Sequence, residues 1–212
     1  MASTYGALLS GRSWRRAAAS VACALLLASW PATASPAPTQ TPTVRHTAVA
    51  RTVSGRVLVR SPHTTGLAPL VGTAVIPMGS TVDTSAGRVR LTTARPAGRG
   101  TQTADFYGGR FALSQDRTGL VTLRLNGDLS GCAGPATGGR RTRRLWGSGS
   151  GNYRTVGRRS AATVQGTIWL TKDTCSTTTT VVARGRVVVE DFQRQRRVTV
   201  RAPHSYVAPG RR

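Results

Sequence analysis

Acid is what this sequence lacks. Seven Asp and Glu stand against thirty Lys and Arg, for a formal charge of +23. General acid–base chemistry needs two convergent groups with separated pKa values. Seven scattered acids, two of them adjacent at Glu190 and Asp191, offer little for that. Histidine is as scarce: His46, His63 and His204 lie apart, in linker or proline-containing turn contexts, with no evident acid partner. There is no G-x-S-x-G elbow, no H-E-x-x-H and no Walker loop. Gly147-Ser-Gly-Ser-Gly has no flanking strand and helix to make a phosphate cradle, and it reads as linker. With Cys132 and Cys175 the only thiols beyond residue 34, and only three histidines, no zinc site is expected. These absences predict a protein that is not an enzyme and carries no metal or cofactor.

Aromatic residues make up only 5% of the chain, so a core has to be thin and built mostly from Val and Leu. Long apolar runs are missing too. The longest, Ala17 to Trp30, falls short of the ~20 residues a membrane-spanning helix needs. It follows Arg12, Arg15 and Arg16, ends at Pro31, and precedes Ala32-Thr33-Ala34. Basic head, apolar middle and small-residue exit are the parts of an export signal. The sequence therefore predicts a cleaved signal peptide over 1–34, an extracytoplasmic (secreted or envelope-associated) protein, and no membrane span after cleavage. A Pro/Thr-rich linker is expected over 35–50. Cleavage removes Cys23 and leaves Cys132 and Cys175, an even pair that predicts one disulfide in an oxidising compartment.

Alternation with period two is plentiful. Val89 and Leu91 share one face; so do Val121, Leu123 and Leu125, and Val198 and Val200. That is the pattern of a half-buried strand. Further strands are expected over 52–60, 101–107, 109–115, 161–170, 178–183 and 185–190, with glycines at the turns. No segment after residue 34 has a helical period. Trp169 alternates with Thr167 and Thr171 and reads as a core anchor. Asp83 and Asp105 read as turn or strand-edge residues. Residues 131–160 differ, being rich in Gly, Ser and Arg. They are expected to form an irregular insertion, either a mobile arm or a connection pinned near Leu145 and Trp146. The fold class is all-β, a short-strand solenoid-like or sandwich-like domain over 51–208 interrupted by that insertion, with a basic tail at 209–212.

Several phrases, in order, resemble the extracytoplasmic domain of the FecR family of iron-dicitrate sensor regulators. Gly55-Arg-Val-Leu-Val, then Ile76-Pro-Met-Gly-Ser-Thr-Val-Asp-Thr-Ser-Ala-Gly-Arg-Val-Arg-Leu, is similar to its opening strands. Ala162-Thr-Val-Gln-Gly-Thr-Ile-Trp-Leu-Thr resembles its v-x-G-T-x-f-x-V phrase. Val181-Val-Ala-Arg-Gly-Arg-Val-Val-Val and Val198-Thr-Val-Arg-Ala-Pro-His-Ser-Tyr resemble its closing segment. The resemblance implies an all-β module that senses or relays a signal at the cell envelope. No counterpart of the family's cytoplasmic anti-sigma segment is expected here, and the family supplies no catalytic residues.

The basic clusters carry the remaining functional signal. Arg140, Arg141, Arg143 and Arg144 precede Trp146, and Arg154, Arg158 and Arg159 follow Tyr153. Cations interleaved with aromatics grip polyanions by charge pairing and stacking. The expected partner is an anionic envelope polymer or an envelope protein, with nucleic acid as the alternative. The function expected is an exported, non-catalytic β-module for binding, sensing or signalling.

Overall fold

The alternation seen in the sequence becomes strand. In the computed structural model the described residues are 40–129, 132, 142–164 and 166–210. They belong to the unit Pro38–Arg212. The first strands are β1 (Thr47–Arg60), β2 (Ala68–Pro69), β3 (Thr73–Pro77) and β4 (Thr81–Ala94). Then come β5 (Thr101–Tyr107), β6 (Arg110–Gln115), β7 (Val121–Leu125), β8 (Arg143–Ser150) and β9 (Tyr153–Val156). The last are β10 (Ser160–Val164), β11 (Thr167–Asp173), β12 (Thr177–Arg184), β13 (Arg186–Asp191), β14 (Arg196–Arg201) and β15 (Ser205–Pro209). The fold is all-β, as the periodicity predicts.

Twelve strands form one nearly closed, barrel-like path in the order β14-β13-β10-β9-β7-β6-β4-β5-β8-β11-β12-β15. Its two end strands are consecutive in sequence, which brings the path round on itself. Among the described residues every pairing is antiparallel except β7 with β9. β5 and β6 lie end to end along β4: Tyr107 opposes Arg88 and Arg110 opposes Asp83. From there the path divides, β5 leading to β8 and β6 leading to β7. Strands pass from one half to the other through glycine corners. At one, Gly55 opposes Gly87 between β1 and β4, with Gly55 at φ +65°. A Cβ on either would fall inside van der Waals distance of the facing backbone, so only glycine lets these two long strands bend together.

The core is thin and is anchored by four aromatics, Phe106, Phe111, Tyr153 and Trp169. Phe106 lies 5.7 Å from Phe111, 5.5 Å from Tyr153 and 6.1 Å from Trp169 between ring centroids. Edge and tilted contacts of this kind add about 0.5–1.5 kcal/mol each beyond the area they bury. The Trp169 indole N–H donates to Thr155 Oγ1 at 3.1 Å, which satisfies the one polar atom the ring brings inside. Trp169 is thus the core anchor its alternation suggested.

Four expectations need correction. Residues 143–156 are not an irregular insertion. β8 lies between β5 and β11 in full register, and β9 lies between β7 and β10. Leu145 and Tyr153 are fully buried. The glycines that suggested a linker are there because a side chain does not fit beneath the strand. The linker also ends earlier than expected: β1 begins at Thr47, and Ala48 and Ala50 are in the core. The stretch 161–170 is two strands, with a corner at Gly166 (φ +71°). Asp83 and Asp105 lie within β4 and β5, each held by arginine, rather than at turns. The expected disulfide is present: Cys132 and Cys175 are bridged with Cα atoms 5.1 Å apart.

A candidate basic and aromatic binding surface

Outward-facing residues of β4, β5, β8, β11 and β12 line up in rows because the strands are in register. One row runs Arg88, Tyr107, Trp146, Leu170, Val181. The next runs Arg144, Lys172, Thr179. A third runs Arg90, Asp105, Ser148, Ile168. Inward neighbours such as Phe106, Leu145 and Trp169 are fully buried, which fixes the facing of each row.

The first row is ordered. The Tyr107 and Trp146 rings stack, with centroids 6.1 Å apart and planes 5° from parallel. The Arg88 guanidinium sits 4.5 Å from the Tyr107 centroid. A cation on an exposed ring face contributes about 0.5–1 kcal/mol, and it holds the tyrosine flat beside the tryptophan. Among the described residues, Asp105 is the one carboxylate on this face. It accepts from Arg90 at 2.8 Å and lies 3.6 Å from Arg88. That hydrogen bond, with the charge attraction behind it, raises the Arg90 pKa.

Beyond Tyr107 the sheet breaks at Gly108 and Gly109 and opens into a groove of about 660 Å³. Its walls include Ser85, Arg110, Asn126, Arg143 and Arg144. Arg110 and Arg143 are each held by a carboxylate. Arg110 donates to Asp83 Oδ2 at 2.6 and 2.9 Å, and Arg143 donates to the buried Asp173 at 2.8 Å. Burial alone would raise the Asp83 pKa. Hydrogen bonds from Ser85 and Arg110 outweigh it and hold the carboxyl below its ordinary value. Arg144 and Lys172 make no ion pair among the described residues, so their charge faces solvent.

The residues singled out from sequence therefore divide. Arg144 and Trp146 are on this face, and Arg143 lines its groove with its charge tied to Asp173. Arg158 and Arg159 lie on the turn between β9 and β10, where their backbone N–H groups donate to Asp173 and Thr178. Arg154 is on the other half of the barrel, paired with Glu190 at 3.0 Å. Arg140 and Arg141 lie outside the described residues. Sequence reasoning missed Arg88, Tyr107, Arg110 and Lys172. The signal for Arg88 and Tyr107 was the alternation itself, since Val89 and Phe106 inward put both neighbours outward. Their meeting with Trp146 depends on strand order, which alternation does not encode. No family model, curated protein or solved structure matches this chain.

Proposed function

We propose that the protein is an extracytoplasmic, non-catalytic β-module that binds an anionic polymer of the cell envelope. The polymer lies along the outer face of β4, β5, β8 and β11. The observation carrying this reading is the stacked row Arg88–Tyr107–Trp146 beside the unpaired cations Arg144 and Lys172. Adjacent strands are ~4.8 Å apart, so Arg144 and Lys172, opposed on β8 and β11, place two positive charges side by side next to the rings. The adjoining groove adds Arg144 to this face, while Arg110 and Arg143 in its walls are neutralised by Asp83 and Asp173 and Asp128 also lines it. Export is supported by the signal-like N-terminus and by a disulfide, a bond that persists in oxidising compartments. In keeping with the FecR resemblance, occupancy of this face is what the module would report to an envelope partner.

The test is a salt titration of affinity for poly(glycerol phosphate), comparing the wild type with a double variant, Arg144→Ala with Lys172→Ala. Each cation that neutralises a polymer charge releases counterions, so the wild type should lose affinity steeply with salt and the variant less so. Equal affinities and slopes would remove this face from the interaction. Tighter binding to single-stranded DNA at the same salt would reassign the face to nucleic acid.

A further inference from the structure

At the other end of β5 and β8, four turns converge around a cleft of about 500 Å³. The β4–β5 loop contributes Arg95, Pro96 and Arg99. Gln102 opens β5, Thr118 and Gly119 come from the β6–β7 turn, Ser150 to Asn152 from the β8–β9 corner, and Gly166 from the β10–β11 corner. Barrel mouths are a common place for small-molecule sites. We propose that this cleft binds a small anionic ligand: one carboxylate or phosphate group carried on a hydroxylated body the size of a monosaccharide. The site is separate from the basic and aromatic face and does not depend on it.

Three observations support it. First, the floor is cross-linked by two buried amides. Gln102 donates to the Gly119 carbonyl at 2.8 Å and accepts from the Asn152 N–H at 2.8 Å. Gln115 donates to the carbonyls of Ala94 and Gly119 and accepts from the Arg45 N–H. Asp116 Oδ1 locks the β6–β7 turn by accepting from the Thr118 and Leu120 N–H groups and the Thr118 hydroxyl. The turns are therefore fixed before any ligand arrives, which lowers the ordering cost of binding.

Second, the chemistry lining the cleft is one-sided. Arg95 and Arg99 are its charged residues; neither makes an ion pair among the described residues, and no carboxylate lines the cleft. The loop that carries them uses left-handed backbone at Ala97 (φ 55°), Gly98 (φ 67°) and Gly100 (φ 75°).

Third, the uncommitted polar groups suit hydroxyls. The Ser150 hydroxyl and the Asn152 side-chain amide have no hydrogen-bond partner among the described residues, while Pro96 offers a flat apolar surface for ring C–H groups. Beside Gly166 the cleft is open, since a Cβ there would meet nothing within 4 Å.

The experiment is calorimetric titration of the full chain with glucuronate, glucose 6-phosphate, inorganic phosphate and glucose. Wild type should bind the two sugar acids saturably and at least tenfold tighter than phosphate or glucose. The double variant Arg95→Ala with Arg99→Ala should lose at least tenfold. Ser150→Trp, which fills the cleft and leaves every charge in place, should lose as much. The double variant Arg144→Ala with Lys172→Ala should bind as wild type. All the substituted side chains are solvent-facing, and unchanged melting temperatures confirm the fold. A preference for glucuronate or for glucose 6-phosphate identifies the anionic group. Three outcomes overturn the proposal: no saturable binding of either sugar acid, undiminished binding by Ser150→Trp, or phosphate binding as tight as that of the sugar acids. Failure here with poly(glycerol phosphate) binding intact leaves the outer-face reading standing.

Discussion

The bare α-carbon of Gly147 lies against the buried indole of Trp169, so closely that a Cβ would overlap the six-membered ring. Strand β8 can pass over the largest core side chain only because this position is glycine. Gly147→Ala should therefore behave as an overpacking mutation and cost about 3 kcal/mol. Ser148→Ala, one residue along and facing outward, should stay within about 0.5 kcal/mol. Urea denaturation of both variants checks this. Equal stabilities would mean that β8 does not pack over Trp169.

The same contact explains where the sequence misleads. Alternation located β4, β6, β7, β13 and β14, where Val, Leu or Phe recur at alternate positions, and it merged β10 with β11. In β8 the inward positions are Leu145, Gly147 and Gly149, so the apolar signal stops after one residue. Glycine there reflects a bulky neighbour on β11, which is information about another strand. The candidate surface was partly legible for a related reason. Arg144 and Trp146 stand out locally, but Tyr107 and Arg88 join them only through the register of β4, β5 and β8.

Two adjacent arginines of β8 face opposite ways, and their substitutions should separate. The Arg143 guanidinium is bound to Asp173, which is fully buried and also accepts from the Arg158 N–H and the Thr178 hydroxyl. Arg143→Ala strands that carboxylate without its cation and should cost about 3 kcal/mol. Arg144→Ala removes an exposed, unpaired charge and should change stability by less than about 0.5 kcal/mol. Chemical denaturation at neutral pH makes the comparison. A matched pair of small effects would show that the Asp173 network holds without the guanidinium.

Acid should weaken the fold through Asp83 and Asp191. Burial opposes ionisation of Asp191, but N–H donors from Arg194 and Gln193 and the Tyr206 hydroxyl hold its pKa below the ordinary value. Asp83 is held below its ordinary value in the same way by Ser85 and Arg110. A carboxyl with a lowered folded pKa contributes stability above its unfolded value of ~3.9, and that contribution is lost as pH falls through the folded value. Stability should thus be level from neutral pH down to about pH 5 and fall below about pH 4. Asp191→Asn should be less stable at pH 7 by about 1–3 kcal/mol, since it loses a charged acceptor. It should also show a shallower acid limb. Melting temperatures from pH 7 to pH 2 test both; parallel acid limbs would remove Asp191 from the account.

Of the two tryptophans among the described residues, ligand on the outer face should be visible to one. Trp146 is half-buried and stacked on Tyr107, whereas Trp169 is fully enclosed and bonded to Thr155. A polymer that lies along the row Arg88–Tyr107–Trp146 changes the solvent contact of Trp146 and leaves that of Trp169 alone. Titrating poly(glycerol phosphate) should therefore shift or quench tryptophan emission in the wild type. Trp146→Phe should abolish most of that change while keeping a flat ring against Tyr107. Its affinity, measured by calorimetry, should fall a few-fold, because the smaller ring offers the glycerol C–H groups less contact area. A full emission change in Trp146→Phe would put the ligand elsewhere. Unchanged affinity in the variant would mean that the arginines alone hold the polymer and the stacked rings serve only the fold.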